Sequence, residues 1–156
     1  MPKESQMIIV SACLAGFSCR YDGKDNLCET VANLVREGKA IPVCPEQLGG
    51  LPTPRKPAGI FNGLGDDVLI GKAEVKTVGN GENVTVSFTK GAEEVLKVAK
   101  LFGVKKAILK QRSPSCGCGK TWQLDEDLKN HVVEGNGVTA ALLKQDGIEV
   151  LTEEDI

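Results

Sequence analysis

The sequence predicts an α/β fold: a single domain over residues 1–156 with an open, mostly parallel, Rossmann-like sheet flanked by helices, and a small β excursion. Two observations favour this class. Short apolar runs of strand length alternate with longer segments of helical periodicity, which is typical of a right-handed parallel sheet. Glycine follows each of the clearest helical segments, at Gly38, Gly103 and Gly147, where it ends a helix. A chain of 156 residues also has the length of one ordinary domain.

The first third of the chain contains two predicted strands and one helix. Apolar runs predict strands at residues 7–12 and 40–43, and the pattern between them predicts a helix over residues 29–37. Residues 44–57 hold four prolines and two glycines, which we expect to exclude any regular element. A long irregular stretch of this kind is more often functional than merely connective.

The rest of the chain predicts one hairpin, two helices and two strands. Alternating apolar positions in residues 68–88, broken by Gly-Asn-Gly at residues 79–81, indicate a hairpin that forms the β excursion. Helical spacing marks residues 88–102 and 137–146, and apolar runs predict strands at residues 107–110 and 148–151. A weak, polar pattern over residues 117–134 predicts a loop with at most one helical turn.

Composition and charge exclude several classes of partner. The formal net charge is -2, so no basic excess favours nucleic-acid binding. No apolar stretch approaches the ~20 residues that cross a bilayer, and residues 1–6 lack an apolar signal core. We therefore expect a cytoplasmic protein without a membrane partner, and the sequence leaves its oligomeric state open. Because thiols are kept mostly reduced in that compartment, six cysteines indicate metal binding or catalysis rather than a disulfide scaffold.

Three cysteines stand at the ends of predicted strands. Cys13 and Cys44 directly follow the first two strands, and Cys116 follows the strand at residues 107–110. Because the carboxyl ends of parallel strands share one edge of the sheet, where α/β folds bind ligands, we expect these thiols to converge. Three thiolates would hold a thiophilic metal centre and leave one coordination position open, as in a catalytic site.

The identity of that centre has alternatives. Free cysteine is often a small buried hydrophobe, and this is our interpretation of Cys28 at a helix start. Zinc sites usually use Cys-x-x-Cys spacing, whereas the close pairs here are Cys13 with Cys19 and Cys116 with Cys118. Dispersed single cysteines fit an iron-sulfur cluster held by three residues better.

Two residues next to these cysteines are candidates for proton transfer. Proline stiffens the turn after Cys44, so the carboxylate of Glu46 can face the same cavity as the thiol. Ser113 places a hydroxyl near Cys116. Asp22 is the second choice of carboxylate.

Other polar residues have two possible interpretations. Arg20 and Arg55 follow loop-forming strings and could bind an anionic or carbonyl group of a ligand, or could stabilise the loops through salt bridges. Trp122 could cover a planar ligand. His131 is the only histidine, and we interpret it as a surface or structural residue.

A string ending in Gly119-Lys120-Thr121 is similar to a phosphate-binding loop. The register fails because Pro114 stands five residues before Gly119, where that loop requires glycine. No clean helix pattern follows Thr121 either, so we reject nucleotide hydrolysis through this string.

Several segments together resemble a known family, the thiouracil desulfidases. They are Val-Ser-Ala-Cys-Leu at residues 10–14 with Cys-Arg-Tyr-Asp-Gly at 19–23, Pro-Val-Cys-Pro-Glu at 42–46 with Gly-Gly-Leu-Pro-Thr-Pro-Arg at 49–55, Ser-Pro-Ser-Cys-Gly at 113–117, and Gly-Val-Thr-Ala-Ala-Leu-Leu at 137–143. Two segments depart from the expected pattern: Gly59 replaces the glutamate of a Pro-Ala-Glu string, and residues 121–124 differ as well.

The resemblance implies an iron-sulfur enzyme that removes sulfur from 2-thiouracil with a [4Fe-4S] cluster bound by three cysteines. It implies that Cys13, Cys44 and Cys116 are the ligands, and that Glu46 and Ser113 stand where proton-handling residues are expected. The iron without a protein ligand would act as a Lewis acid on the carbon-sulfur bond, and water would then replace the sulfur without net electron transfer. The implied partner is a small thiolated base or nucleoside. The alternative function is a noncatalytic metal-binding or redox-sensing module.

Overall fold

The computed structural model describes residues 6–156, so the expectation about a signal segment at residues 1–6 falls almost entirely outside it. The strands, numbered in chain order, are β1 (Ile8–Ser11), β2 (Ala40–Val43), β3 (Ala58–Phe61), β4 (Glu74–Thr77), β5 (Lys106–Leu109), β6 (Lys120–Leu124), β7 (Asn130–Glu134) and β8 (Glu149–Thr152). The helices are α1 (Glu29–Arg36), α2 (Pro45–Leu48), α3 (Gly65–Leu69), α4 (Thr85–Phe102) and α5 (Val138–Gln145).

The first sheet confirms the predicted α/β class. Its four strands are all parallel, in the order β2-β1-β5-β8. Buried side chains of α4 and α5 pack on one face, among them Val95 and Leu143, and α1 contributes Val31 to the core of the other face. Because both faces of the sheet are covered, its strands are almost continuously apolar. This is why the strands could be predicted from the sequence.

A second sheet of four strands takes the place of the predicted small excursion. Its order is β4-β3-β6-β7, and it is mixed, with only the central β3–β6 pair parallel. The predicted hairpin over residues 68–88 is wrong in its pairing, because Val68 lies in α3 and Val86 in α4. The strand that pairs with β4 is β3. A short period-two pattern was present in this region, but two of its positions belong to helices.

Residues 117–134 were predicted as a loop, and this prediction is wrong. They contain β6 and β7, which pair antiparallel from Lys120 with Glu134 to Leu124 with Asn130. Only Thr121 and Leu124 of this hairpin are buried, so the alternation that marks a strand is too weak to detect.

The proline-rich stretch after β2 begins with a helix, contrary to the prediction. Pro45 occupies the first position of α2, where its fixed φ is compatible with a helix and its missing N–H is not needed. The helix packs closely on α4 through two glycines. A Cβ on Gly49 would lie 1.9 Å from the carbonyl oxygen of Ser87, and one on Gly91 would lie 2.0 Å from that of Pro45. This close approach holds the end of β2 and the start of α2 in place.

The other predicted elements agree with the structure to within a few residues. The long helix α4 begins at Thr85, three residues before the expected start, and ends at Gly103 with a φ of 66° as expected. Within residues 6–156, no helix has both the length and the apolar composition needed to cross a membrane.

Candidate active site

One cavity of about 740 Å³ is lined by the three predicted cysteine ligands and by the two predicted proton-transfer residues, Glu46 and Ser113. Cys13 lies in the 3-10 turn Ala12–Ala15 after β1, Cys44 precedes the first turn of α2, and Cys116 lies in the loop after β5. These three cysteines line the cavity together with Glu46 and Ser113. The structure therefore brings the five residues to the carboxyl edge of the first sheet, while their chemical roles stay predictions.

The cavity has walls from both sheets. The turns after β1, β2 and β5 form the side that carries the cysteines. The lining also includes Thr77 at the end of β4, Trp122 of β6 and Asn130 of β7. Phe88 of α4 adds a second aromatic side chain. A cavity lined by aromatic groups and by thiols suits a planar ligand that carries sulfur.

Two neighbouring side chains favour the thiolate form of Cys13. Hydrogen bonds from Cys19, and then from Asn26, hold the pKa of Cys13 below its ordinary value against the opposing effect of burial. Asn26 is itself fixed, because its Oδ1 accepts a hydrogen bond of 2.9 Å from Nη1 of Arg20. These contacts stabilise the thiolate form of Cys13, which is the form that binds metal.

Cys44 is activated in a similar way. A hydrogen bond from Cys19, and then the backbone N–H of Gln47, lower the pKa of the Cys44 thiol to about 7, although burial and the charge of Glu46 oppose the shift. Cys19 has one S–H, so it donates either to Cys13 or to Cys44 at a given moment. The Cys44 thiol also lies 3.8 Å from the carbonyl oxygen of Cys19, to which it donates when protonated.

Cys116 has the opposite character. Burial raises its pKa well above the ordinary range of a thiol, and a hydrogen bond from the Ser11 hydroxyl only partly offsets this effect. A coordinating metal would offset this effect, because it deprotonates a thiol ligand outright.

The loop that carries Cys116 is fixed at both ends. Oγ of Ser113 accepts hydrogen bonds of 3.1 Å from the backbone N–H groups of Ser115 and Cys116. The first N–H groups of α5 bind the carbonyls of Pro114 and Ser115 at 2.8 to 3.1 Å. The N-terminus of α5 is thus occupied by this loop. The hydroxyl proton of Ser113 has no protein acceptor in residues 6–156 and can donate into the cavity.

The two arginines of the predicted site form ion pairs within the protein. Arg55 pairs with Glu46, and both side chains are largely buried. Arg20 pairs with Asp22 at 3.1 Å, and Asp22 does not line the cavity. The structure therefore favours the salt-bridge interpretation for both arginines. Of the two carboxylates predicted from the sequence, only Glu46 lines the cavity.

A turn near the end of the chain supports the floor of the cavity. The carboxylate of Glu153 lies 2.9 Å from Nζ of Lys110 and accepts a hydrogen bond of 2.7 Å from the backbone N–H of Gln111. Lys110 and Gln111 precede the Cys116 loop and line the cavity. Nothing in the local sequence of residues 153–155 indicates this role.

Sequence reasoning missed several residues around the thiols. Asn26 lies in an irregular segment without a recognisable motif. Ser11 was counted as part of the apolar run at residues 7–12, although it is the one polar residue of that run. Cys28 lies at the start of α1 and packs against the core, as expected. His131 is exposed and lies 2.6 Å from Asp125, which agrees with a surface role. Lys120 begins a strand, so the phosphate-loop interpretation is excluded by the fold as well.

The three thiols are a donor set that suits an iron-sulfur cluster, because cysteine thiolates are the usual ligands of such clusters. Within residues 6–156, no three His, Cys, Asp or Glu side chains are placed to hold one metal ion. Hydrogen-bond donors beside the sulfur atoms are also typical of cluster sites, and each of the three thiols has at least one such neighbour.

The α/β fold and the three thiols in one cavity are typical of an enzyme with a cysteine-ligated metal centre. Comparison with known proteins identifies the family. The chain belongs to the 2-thiouracil desulfurase family, whose model matches residues 8–155. The resemblance inferred from the sequence motifs is confirmed.

Two similar proteins extend this result. The protein YbbK of Bacillus subtilis strain 168 is 45% identical over 150 residues, covering 96% of this chain and 97% of YbbK. The solved structure of the [4Fe-4S]-dependent thiouracil desulfidase TudS superposes with a TM-score of 0.81 at 38% identity. The alignment covers 97% of this chain and 93% of TudS.

Proposed function

We propose that the protein removes sulfur from a small thiolated base or nucleoside such as 2-thiouracil, using a [4Fe-4S] cluster held by Cys13, Cys44 and Cys116. Family membership supports desulfuration of thiouracil, and the similar TudS is described as [4Fe-4S]-dependent. The observation that carries the proposal is the convergence of three thiols with Glu46 and Ser113 on one cavity. All six cysteines are free, which suits a reducing, cytoplasmic location.

The overall reaction exchanges sulfur for oxygen. The carbon-sulfur bond of the thiocarbonyl is broken, a carbonyl forms with the oxygen of water, and sulfur leaves as hydrogen sulfide with both protons of that water. The exchange needs no oxidant or reductant, so no redox partner is proposed. When bound, the cluster supplies an iron without a protein ligand, which acts as a Lewis acid on sulfur.

The residues of the chain supply the proton transfers and the orientation. Glu46 accepts a proton from the attacking water, since its carboxylate lines the cavity and one of its oxygens has no protein donor among the described residues. The Ser113 hydroxyl donates a hydrogen bond to the ring of the substrate and orients the ring toward the cysteines. Trp122 and Phe88 exclude water from the faces of the ring.

Anaerobic reconstitution tests the proposal. The loaded protein should be brown, contain about four irons and four sulfides per chain, and convert 2-thiouracil to uracil and sulfide. Cys13→Ala, Cys44→Ala and Cys116→Ala should each lose iron and turnover, whereas the control Cys28→Ala, outside the cavity, should keep both. Full turnover by iron-free protein would contradict the proposal.

The noncatalytic alternative has a separate outcome. A metal-binding or redox-sensing module would bind iron through the same cysteines, but would not turn over thiouracil, and Glu46→Gln would change nothing. The proposed enzyme loses most of its turnover in Glu46→Gln and keeps only a residual rate, while its iron content stays the same.

A further inference from the structure

The guanidinium group of Arg55 has every one of its donors engaged by the protein. Its Nε donates to Oε2 of Glu46 at 2.9 Å, and its Nη2 donates to the same oxygen and to the carbonyl of Cys19 at 2.9 Å. Its Nη1 donates to the carbonyl of Pro52 at 3.2 Å and to Oγ1 of Thr53 at 3.0 Å. A guanidinium has five N–H donors, so none remains for a ligand. Arg55 therefore acts within the wall of the cavity and does not bind substrate.

The contact with Arg55 makes the two carboxylate oxygens of Glu46 different from each other. Oε2 accepts two N–H groups from one guanidinium, while Oε1 accepts no hydrogen bond from residues 6–156. The side chain of Arg55 is 8% exposed and that of Glu46 is 16% exposed. Solvent therefore screens the pair weakly, and the guanidinium fork holds Oε2 of Glu46 through two N–H groups.

Arg55 also joins the loops that carry the cysteines. The carbonyl of Cys19, which receives Nη2 of Arg55, is the same carbonyl that lies 3.8 Å from the Cys44 thiol. The backbone N–H of Arg55 donates to the carbonyl of Tyr21 at 2.7 Å. One side chain thus fixes Glu46 relative to both the Cys44 turn and the segment at residues 19–21.

We propose that Arg55 is a positioning residue, which holds Oε2 of Glu46 so that Oε1 remains the proton acceptor at a fixed place beside the cysteines. This inference rests on the proposed function, because it requires Glu46 to act on water. Lysine cannot replace the guanidinium, since its ammonium lacks the planar fork and reaches these acceptors from one point only.

The test combines Arg55→Lys with Glu46→Gln in a double-mutant cycle, with kcat expressed per bound cluster. Arg55→Lys should lower kcat by about 10- to 100-fold through misplacement of the carboxylate, with KM within about twofold. In the Glu46→Gln background the same change should alter kcat by less than about twofold, since the acceptor is already absent. Iron content and visible absorbance should match the wild type, and Tm should fall because buried acceptors lose donors. Arg36→Lys, at an exposed arginine of α1, is the matched control and should change nothing.

Other outcomes overturn the inference. An equal loss of kcat in both backgrounds, a change confined to KM, or loss of iron with unchanged kcat per cluster would each show that Arg55 does not act through Glu46. If Arg55→Lys does not fold, Arg55→Gln serves in the same cycle with the same criteria. Wild-type protein that binds iron but leaves thiouracil intact contradicts the proposed function, whereas active Arg55→Lys protein contradicts only this inference.

Discussion

The hydroxyl of Ser11 connects the end of β1 to the thiol of Cys116. The Ser11 hydroxyl lowers the pKa of the Cys116 thiol against the larger effect of burial, and its Oγ accepts a hydrogen bond of 2.9 Å from the backbone N–H of Lys110. The side chain of Ser11 is almost fully buried, at 2% exposure. One hydroxyl therefore links the end of β1 to the residue after β5 and influences the thiol of a candidate ligand.

Ser11→Ala should weaken both the fold and the binding of iron. It leaves the backbone N–H of Lys110 without its acceptor, a loss of about 1 to 3 kcal/mol for a buried group. It also removes the donor that favours the thiolate of Cys116. Urea unfolding and the rate of iron release to a chelator measure the two effects. Ser18→Ala, at an exposed serine, should behave as wild type, and equal iron release from both variants would contradict the role of Ser11.

Gly91→Ala should displace α2 from α4. The added Cβ would meet the carbonyl oxygen of Pro45 at 2.0 Å, and a backbone atom cannot move aside cheaply. Alanine is intrinsically better than glycine in a helix by about 1 kcal/mol, but overpacking of this kind costs about 1 to 3 kcal/mol. We expect net destabilisation in urea unfolding together with reduced iron content, because Cys44 and Glu46 lie at the start of α2.

Lys90→Ala changes an exposed neighbour on the same helix and serves as the control. Stability equal to wild type in Gly91→Ala would mean that the two helices can separate without consequence.

Gly59 and Asn130 should show coupling in a double-mutant cycle. A Cβ on Gly59 would lie 1.8 Å from Oδ1 of Asn130, which is buried and has no hydrogen-bond partner among the described residues. Gly59→Ala alone should cost about 1 to 3 kcal/mol through this clash. In the Asn130→Ala background the same change should cost clearly less, as measured by urea unfolding. Additive effects would refute the steric pairing of these two positions.

Asp125 should make the β6–β7 hairpin sensitive to acid. The backbone N–H of Lys129, and then the His131 ring, lower the pKa of Asp125 below 3.8. A carboxyl group whose pKa is depressed by folding stabilises the protein above the unfolded-state pKa, and this contribution is lost as pH falls through the folded-state pKa. The wild type should therefore be more stable than Asp125→Asn at pH 7, and the difference should close below pH 3.8.

Urea unfolding of both proteins across this pH range gives the measurement. Asp127→Asn, in the same turn, is the control. A difference that persists unchanged in acid would contradict the assignment to Asp125.

The parallel sheet could be predicted because strands that are buried on both faces have short, continuous apolar runs in the sequence. β2 occupies residues 40–43, as its apolar run indicated, and Cys44 follows it directly. The positions of the three thiols relative to strand ends then predicted their convergence. Topology alone brought these distant residues together, so no knowledge of side-chain contacts was needed.

The remaining features depend on contacts between distant segments. The β6–β7 hairpin has too few buried positions to show alternation, and Pro45 was interpreted as a helix breaker although it starts a helix. The contacts of Arg55 with Glu46 and Cys19 follow from the packing of two irregular loops, which no local pattern encodes. Sequence could name Arg55 as a candidate, but only the geometry distinguished a ligand-binding group from a structural one.

The two sheets contribute different residues to the lining of the cavity. The thiols, Glu46 and Ser113 belong to the turns around the first sheet, whereas Trp122 and Asn130 belong to the second sheet. Under the proposed function, we expect substitutions in the second sheet to change which ring is accepted while the cluster ligands and Glu46 stay in place. In that case β6 and β7 are the segments through which relatives of this protein could acquire a new substrate.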